Sequence, residues 1–201
     1  MNNISIIPIK NLPEFEPKHD LVDEIIKTFS RNNFVLEDKD VIVITQKIVS
    51  KVEDRLIKTD NESIEKLIQQ ESLEILRKRG DTVIARTKHG FICANAGIDK
   101  SNIEKGLVLL LPEDPDKTSR DIRKKIEHVT NKKISIIISD TFGRAWRKGQ
   151  TNVAIGSSGI QPLESYIGEK DAFDNELFAT EIAIVDELAG AAELVMKKSD
   201  N

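Results

Sequence analysis

The sequence predicts a mixed α/β fold, and three observations carry that expectation. Short aliphatic or β-branched runs recur, at DVIVIT (40–45), LVLLLP (107–112) and KISIIIS (133–139). Stretches with apolar residues at helical spacing lie between and beyond them. The two kinds of segment alternate, which gives the class α/β, or α+β if a central hairpin dominates. With 201 residues and no internal repeat, low-complexity tract or composition break, a single domain over 1–201 is expected.

Taken in order, ISIIPI (4–9) reads as a strand or strand edge, because Pro8 interrupts it. NLPEFEPKH (11–19) carries two prolines and reads as a loop. Asp20 is placed to cap a helix over LVDEIIKTFSR, with Val22, Ile25, Ile26 and Phe29 at helical spacing. DVIVIT is a strand, and KIVSKVE after it is expected to continue in extended or turning form. A second helix is expected over about 63–79, with Ile64, Leu67, Ile68, Ile75 and Leu76 on one face. TVIART and FICANA flank Lys88, His89 and Gly90, which form a hairpin turn. LVLLLP is too apolar for a half-exposed strand and is expected to be buried on both faces. PEDPDKTS leads into a helix ending near residue 130, with Ile122, Ile126 and Val129 inward. KISIIIS is another fully apolar strand, ending at Asp140 and Thr141. The stretch 142–180 is glycine-dotted and weakly periodic. TEIAIV (180–185) reads as a strand and DELAGAAELVM (186–196) as an alanine-rich helix.

Composition narrows the functional classes. The 34 acidic residues outnumber 30 basic ones for a net charge of -4, so there is no basic footprint for nucleic acid. Cys93 has no partner for an internal disulfide, and one cysteine with three histidines cannot build a thiolate zinc site. No apolar run approaches the roughly 18 residues of a membrane span, and MNNISIIPIK lacks a signal-peptide pattern. A soluble, cytoplasmic protein with neither membrane nor nucleic-acid partner is expected.

Neither a GxxxxGK[ST] phosphate loop nor a GxGxxG turn is present. Gly156-Ser157-Ser158-Gly159 has the wrong spacing for a nucleophile elbow. His19, His89 and His128 share no metal-ligand spacing and read as structural or solvated, and Cys93 as a small buried apolar residue. Oxygen donors instead gather at element ends. Asp99 and Asn102 lie just beyond the FICA strand, with Gly97 permitting a sharp turn, and Asp140-Thr141 follow KISIIIS. Ligand sites of open α/β sheets collect at such carboxyl ends. Two carboxylates with a hydroxyl suit a hard cation, Mg²⁺ or Mn²⁺; the alternative is that each aspartate only caps its own turn. Lys47 and Lys51 follow DVIVIT, and Arg144, Arg147 and Lys148 follow Asp140. Guanidinium groups grip phosphate or carboxylate bidentately, and lysines act as point charges. The cluster could equally be a solvated turn, with Trp146 packing between the arginines. These residues together read as a metal-dependent phosphate-handling enzyme.

Several stretches are also similar to one family. They are NLPEF (11–15), TQKIVSKVEDR (45–55), KHGFICANAGIDKSN (88–102), LLLPEDPDKTSRDIR (109–123), ISDTFGRAWRKGQTNVAIG (138–156) and VDELAGAAELVM (185–196). In this order they resemble the F420 γ-glutamyl ligase family. The resemblance implies a mixed α/β domain of unusual topology, an intertwined homodimer, and a nucleotide in a groove. It implies GTP- and metal-dependent joining of L-glutamate to the side-chain carboxylate of coenzyme F420-0 through an acyl phosphate, then a γ-linked glutamate. Two Mg²⁺ or Mn²⁺ sites are implied, with K⁺ as a further cofactor. By the same resemblance Asp99 and Asp140 hold the first metal and Thr141 the second. Leu12, Pro13, Glu14, Phe15, Gln46, Lys47, Lys51 and Asn102 contact the nucleotide. Arg144 and Arg147 are assigned to substrate phosphate or carboxylate from charge and proximity. Family members continue past the ELVM helix into a glycine-containing loop and strand that supply nucleotide contacts and an acidic ligand. That closing segment is expected to be absent here, leaving the second metal incomplete; the alternative expectation is a non-catalytic F420- or nucleotide-binding module.

Overall fold

The three-stranded sheet at the centre forms where the sequence is most apolar. In a computed structural model describing residues 3–198, β1 (Val41–Thr45) runs parallel to β7 (Ser135–Gly143), and β7 runs antiparallel to β8 (Gln150–Ser158). Ile136, Ile137 and Ile138 of β7 have no exposed surface. Ile136 and Ile138 pack with Ile25 and Phe29 of α1 (Leu21–Arg31) and with Ile122 and Ile126 of α4 (Pro115–Thr130). Ile137 packs on Val185 and Ala189 of α5 (Ile184–Met196). Helices on both faces explain why the strand reads as an unbroken apolar run. Each such side chain contributes roughly 1.5–3 kcal/mol by leaving water.

A second layer holds β2 (Leu56–Lys58) paired with β6 (Leu107–Leu109), and the antiparallel sheet β3 (Ser72–Arg79), β4 (Thr82–Thr87), β5 (Ile92–Ala94). Val83, Ala85, Ile98, Val108 and Leu110 form its core with Ile68 of α3 (Asn61–Glu71). As expected, residues 108–112 are buried, and the 88–90 turn joins β4 to β5. Two antiparallel pieces, β9 (Glu164–Ser165) and β10 (Glu181–Ile182), close an arm that leaves Phe173 and Phe178 exposed.

Local chemistry sets the helix ends. The Asp20 carboxylate accepts from the N–H groups of Val22 and Asp23 at 3.1 Å, capping α1. Asp114 does the same for α4 through Lys117 N–H at 2.8 Å, with Pro115 at the first helical position. Asn131 closes α4 in the left-handed conformation, φ 54°.

Several expectations are corrected. Residues 4–9 pair with no strand, since Pro8 offers no N–H and no neighbouring edge meets them; Ile4 and Ile7 stay exposed. KIVSKVE is not extended: α2 (Gln46–Val52) forms because Ile48, Val49 and Val52 share a helical face packed on the core. The helix expected to reach 79 stops at Glu71, and 72–79 become β3 through pairing with β4, leaving Ile75 and Leu76 exposed. Val129 lies one turn beyond the buried stripe Ser119, Ile122, Ile126 and is exposed. TEIAIV contributes only Glu181–Ile182 to a strand, because α5 already begins at Ile184. Trp146 does not pack between the arginines; it is fully exposed at the β7–β8 turn. Among the described residues, no helix is long and apolar enough to cross a membrane.

Candidate functional site

The parallel pairing of β1 with β7 brings two carboxyl ends together. Thr45 stands opposite Ser139, so the first turn of α2, with Lys47, starts beside Asp140 and Thr141. Asp99 arrives from the second layer. After β5 the chain makes a left-handed turn through Asn95, Ala96 and Gly97, with φ values of 50, 54 and 75°. The Asn95 side chain accepts from Val83 N–H at 2.9 Å and holds the turn against β4. Gly97 is required there, since a Cβ would stand 2.6 Å from Leu111 Cδ1. Asp99 then exchanges two 2.9 Å backbone hydrogen bonds with Leu109. Phe91, stacked beside His89, packs edge-on against Phe142 of β7 at 5.9 Å and fixes the two layers to each other.

Between these elements runs an open groove lined by Leu12, Phe15, Lys47, Asp99, Asn102, Asp140 and Thr141, with the N-terminal segment and the last turns of α5 as walls. Lys47 Nζ lies 2.5 Å from Asp99 Oδ2 and donates to Ser101 O at 3.0 Å. Ser101 donates its N–H and Oγ–H to Asp99 Oδ1 at 2.7 and 2.8 Å. Burial opposes ionisation of Asp99, but the Lys47 and Ser101 hydrogen bonds outweigh it and hold the carboxyl below its ordinary range. Asp140 goes the other way: burial, reinforced by the Asp99 charge, pushes it up to about 6, against the opposing influence of Thr141 N–H, Lys47 and Lys198. Cys93 beneath the groove is raised to about 11 by burial and then by Asp140, so its thiol is unreactive at neutral pH.

Thr141 sits in a second network. Its hydroxyl donates to Asn152 Oδ1 at 2.8 Å, across the β7–β8 ladder where the two residues are partners. Asn152 Nδ2 donates to Glu193 Oε2 of α5 at 2.9 Å. Lys198 Nζ donates to Thr141 Oγ1 at 2.7 Å and to Glu193 Oε2 at 3.1 Å. Sequence reasoning missed Asn152, Glu193, Lys198 and Ser101. The available signal was Glu193, four residues after buried Ala189 on the same helical face.

Other expected site residues lie apart. Lys51 pairs with Glu14. Neither they nor Pro13 line the groove. Gln46 is fully buried, its Oε1 accepting from Ser50 at 2.8 Å and its Nε2 without a partner. Arg144 turns back onto the carbonyls of Lys148 and Gly149 at the exposed hairpin tip, and neither it nor Arg147 lines the groove. His89 donates to the Pro112 carbonyl at 2.9 Å and His128 is exposed, in keeping with structural or solvated roles.

Two carboxylates and a hydroxyl on one groove are oxygen donors of the kind that suit a hard cation, and a cation there would offset the burial and Asp99 charge that raise Asp140. Among the described residues no three His, Cys, Asp or Glu side chains converge, so a cation there would keep positions for other oxygens.

The sequence matches the family described as F420-0:Gamma-glutamyl ligase over residues 10–201. It is similar to the coenzyme F420:L-glutamate ligase of Methanococcus maripaludis (strain C6), 44% identical over 186 residues, covering 84% of this chain and 75% of the relative. The protein of that name from Methanothermobacter thermautotrophicus is 37% identical over 214 aligned residues, covering 98% and 85%. That of Methanocaldococcus jannaschii is 44% identical over 184 residues, covering 83% and 74%.

Proposed function

The chain belongs to the F420-0:gamma-glutamyl ligase family, and from that premise we propose that it joins L-glutamate to coenzyme F420-0 in F420 biosynthesis, using GTP and a divalent cation. The observation that carries this reading is the groove that Asp99 and Asp140, delivered by different layers, both line, with Lys47 paired to Asp99 and the Asp99 charge felt at Asp140.

A carboxylate is a poor acyl donor until its oxygen is made a leaving group. In the proposed reaction the side-chain carboxylate of F420-0 attacks the γ-phosphorus of GTP, and the bond to the β-bridging oxygen breaks, releasing GDP. The glutamate amine then attacks the acyl phosphate, loses a proton, and phosphate leaves as the amide forms; a γ-linked glutamate follows by the same steps. Mg²⁺ or Mn²⁺ held by Asp99 and Asp140 supplies charge neutralisation to the transferring phosphoryl group. Lys47, Asn102 and Leu12 line the same groove, and the Lys47 ammonium would serve as a point charge for a phosphate there. The apolar side chains exposed on the N-terminal segment and on the 160–183 arm support a homodimer.

The test is mass-spectrometric: the chain incubated with F420-0, L-glutamate, GTP and Mn²⁺, beside ATP and metal-free controls. Glutamylated product with GTP and metal alone is the expected result. Silence with intact, folded protein and both substrates present would overturn the reading.

A further inference from the structure

The hairpin between β7 and β8 bounds one end of the groove. Gly143 and Gln150, the last paired residues of the two strands, both line the groove, and residues 144–149 extend past them as an exposed tip. The tip reads Arg-Ala-Trp-Arg-Lys-Gly and is held closed from within, the Arg144 guanidinium donating to the carbonyls of Lys148 and Gly149. Arg147 and Lys148 are exposed and, like Arg144, make no ion pair among the described residues. Trp146, the only tryptophan of the chain, is 101% exposed and sits at φ 64°. A bulky side chain rarely adopts that left-handed backbone, and at that exposure the indole gains no burial in the fold to offset the strain. The tip thus presents three cations and an aromatic face without one acidic residue, in a chain of net charge -4. Those are the groups that hold a flat aromatic ring carrying a negatively charged side chain.

We propose that the 144–149 tip is the docking point for the deazaflavin ring of coenzyme F420-0. Trp146 stacks on the ring, and Arg147 and Lys148 supply the charge that attracts the phosphate of its phospholactate side chain. This rests on the functional reading above, which puts the reacting carboxylate at the Asp99–Asp140 end of the groove. From Asp140 to Gly143 the strand advances about 10 Å, at roughly 3.3 Å per residue. One extended substrate therefore has its carboxylate at the aspartates, its ring at the hairpin tip and its phosphate between them. The ring takes no part in bond making, so its stacking is binding energy realised away from the reacting atoms. Trp146 is on this account a specificity-determining residue, separating a phospholactate that carries a ring from one that does not.

The experiment follows the fluorescence of the single tryptophan in the full chain, without glutamate. A non-hydrolysable GTP analogue with Mn²⁺ is added first, then either F420-0 or phospholactate lacking the ring, with free tryptophan amide correcting for absorbed light. Equilibrium dialysis gives F420-0 affinity for wild type, Trp146→Ala and Trp146→Phe, and sedimentation gives the mass of each. The indole is wholly exposed, so neither substitution disturbs the packing. Quenching by F420-0 and not by phospholactate is the expected result. Trp146→Ala should bind F420-0 about fivefold more weakly or worse, and Trp146→Phe should recover most of that loss. F420-0 bound without quenching, or bound equally by Trp146→Ala, overturns the assignment and leaves the ligase reading in place. Quenching already at the first addition gives the tip to the nucleotide base, and a lower mass for Trp146→Ala gives it to a second copy of the chain; either overturns the assignment. F420-0 bound by none of the three proteins overturns the assignment and the functional reading together.

Discussion

Replacing Asp140 by Asn should make the metal-free protein more stable. In the folded chain Asp140 titrates near 6 instead of 3.8, chiefly because burial disfavours its charge. The folded state thus holds a proton that the unfolded state has released between about pH 4 and 6. Stability is full below the unfolded value and is lost as pH rises through the folded one. The difference between 3.8 and about 6 corresponds to about 3 kcal/mol of destabilisation at neutral pH. Asn keeps the shape and removes the charge, so Asp140→Asn should gain about 2–3 kcal/mol at pH 7.5, or ~5–10 °C in melting temperature for a chain of this size. The gain should shrink towards zero near pH 4. Urea unfolding with chelator, followed by far-UV circular dichroism, reads it; Trp146 fluorescence is unsuitable because the indole is already exposed. Mn²⁺ should then raise only the wild type, by about 2.7 kcal/mol at a hundred times its dissociation constant. A variant no more stable than wild type at pH 7.5, or a gain unchanged at pH 4, would refute the reasoning.

Two further substitutions test how the scaffold positions the site. Gly156 of β8 lies against the start of α4, where an added Cβ would stand 2.4 Å from the Pro115 carbonyl carbon; Gly156→Ala should cost about 3 kcal/mol in urea unfolding, since backbone cannot move aside as a side chain does. Asn95→Ala loses the hydrogen bond to Val83 N–H and puts alanine at φ 50°; about 2 kcal/mol should be lost, together with Mn²⁺ affinity, because the turn aims Asp99.

Much of the scaffold was legible because its signals are local. Asp20 and Asp114 announce helices that the apolar period then confirms, and the isoleucine run of β7 announces a strand covered on both faces. The switch from α3 to β3 at Ser72 was not legible: Ile75 and Leu76 suit a helical face as well as a strand, and pairing with β4 decides. Likewise Ile48, Val49 and Val52 have too short a run to signal α2 before the core they pack on is known.

The site divides the same way. Asp99, Asp140 and Thr141 stood out as donors at strand ends and Lys47 as a cation after DVIVIT, and the parallel register of β1 with β7 sets Lys47 beside Asp140 and Thr141. Asn152 and Glu193 could not be paired with Thr141 from sequence, because only the seating of α5 over β8 joins them. Arg144 and Arg147 looked close to Asp140 along the chain. A strand rises about 3.3 Å per residue, and β7 carries them out to an exposed turn instead.

Ligation in wild type and Asp140→Ala, measured side by side with F420-0, L-glutamate, GTP and Mn²⁺, tests the central claim most directly. Product formation in wild type, falling to the metal-free level in a variant whose circular dichroism is unchanged, is what this account predicts. Undiminished ligation by Asp140→Ala would contradict it and move the chemistry out of the Asp99–Asp140 groove.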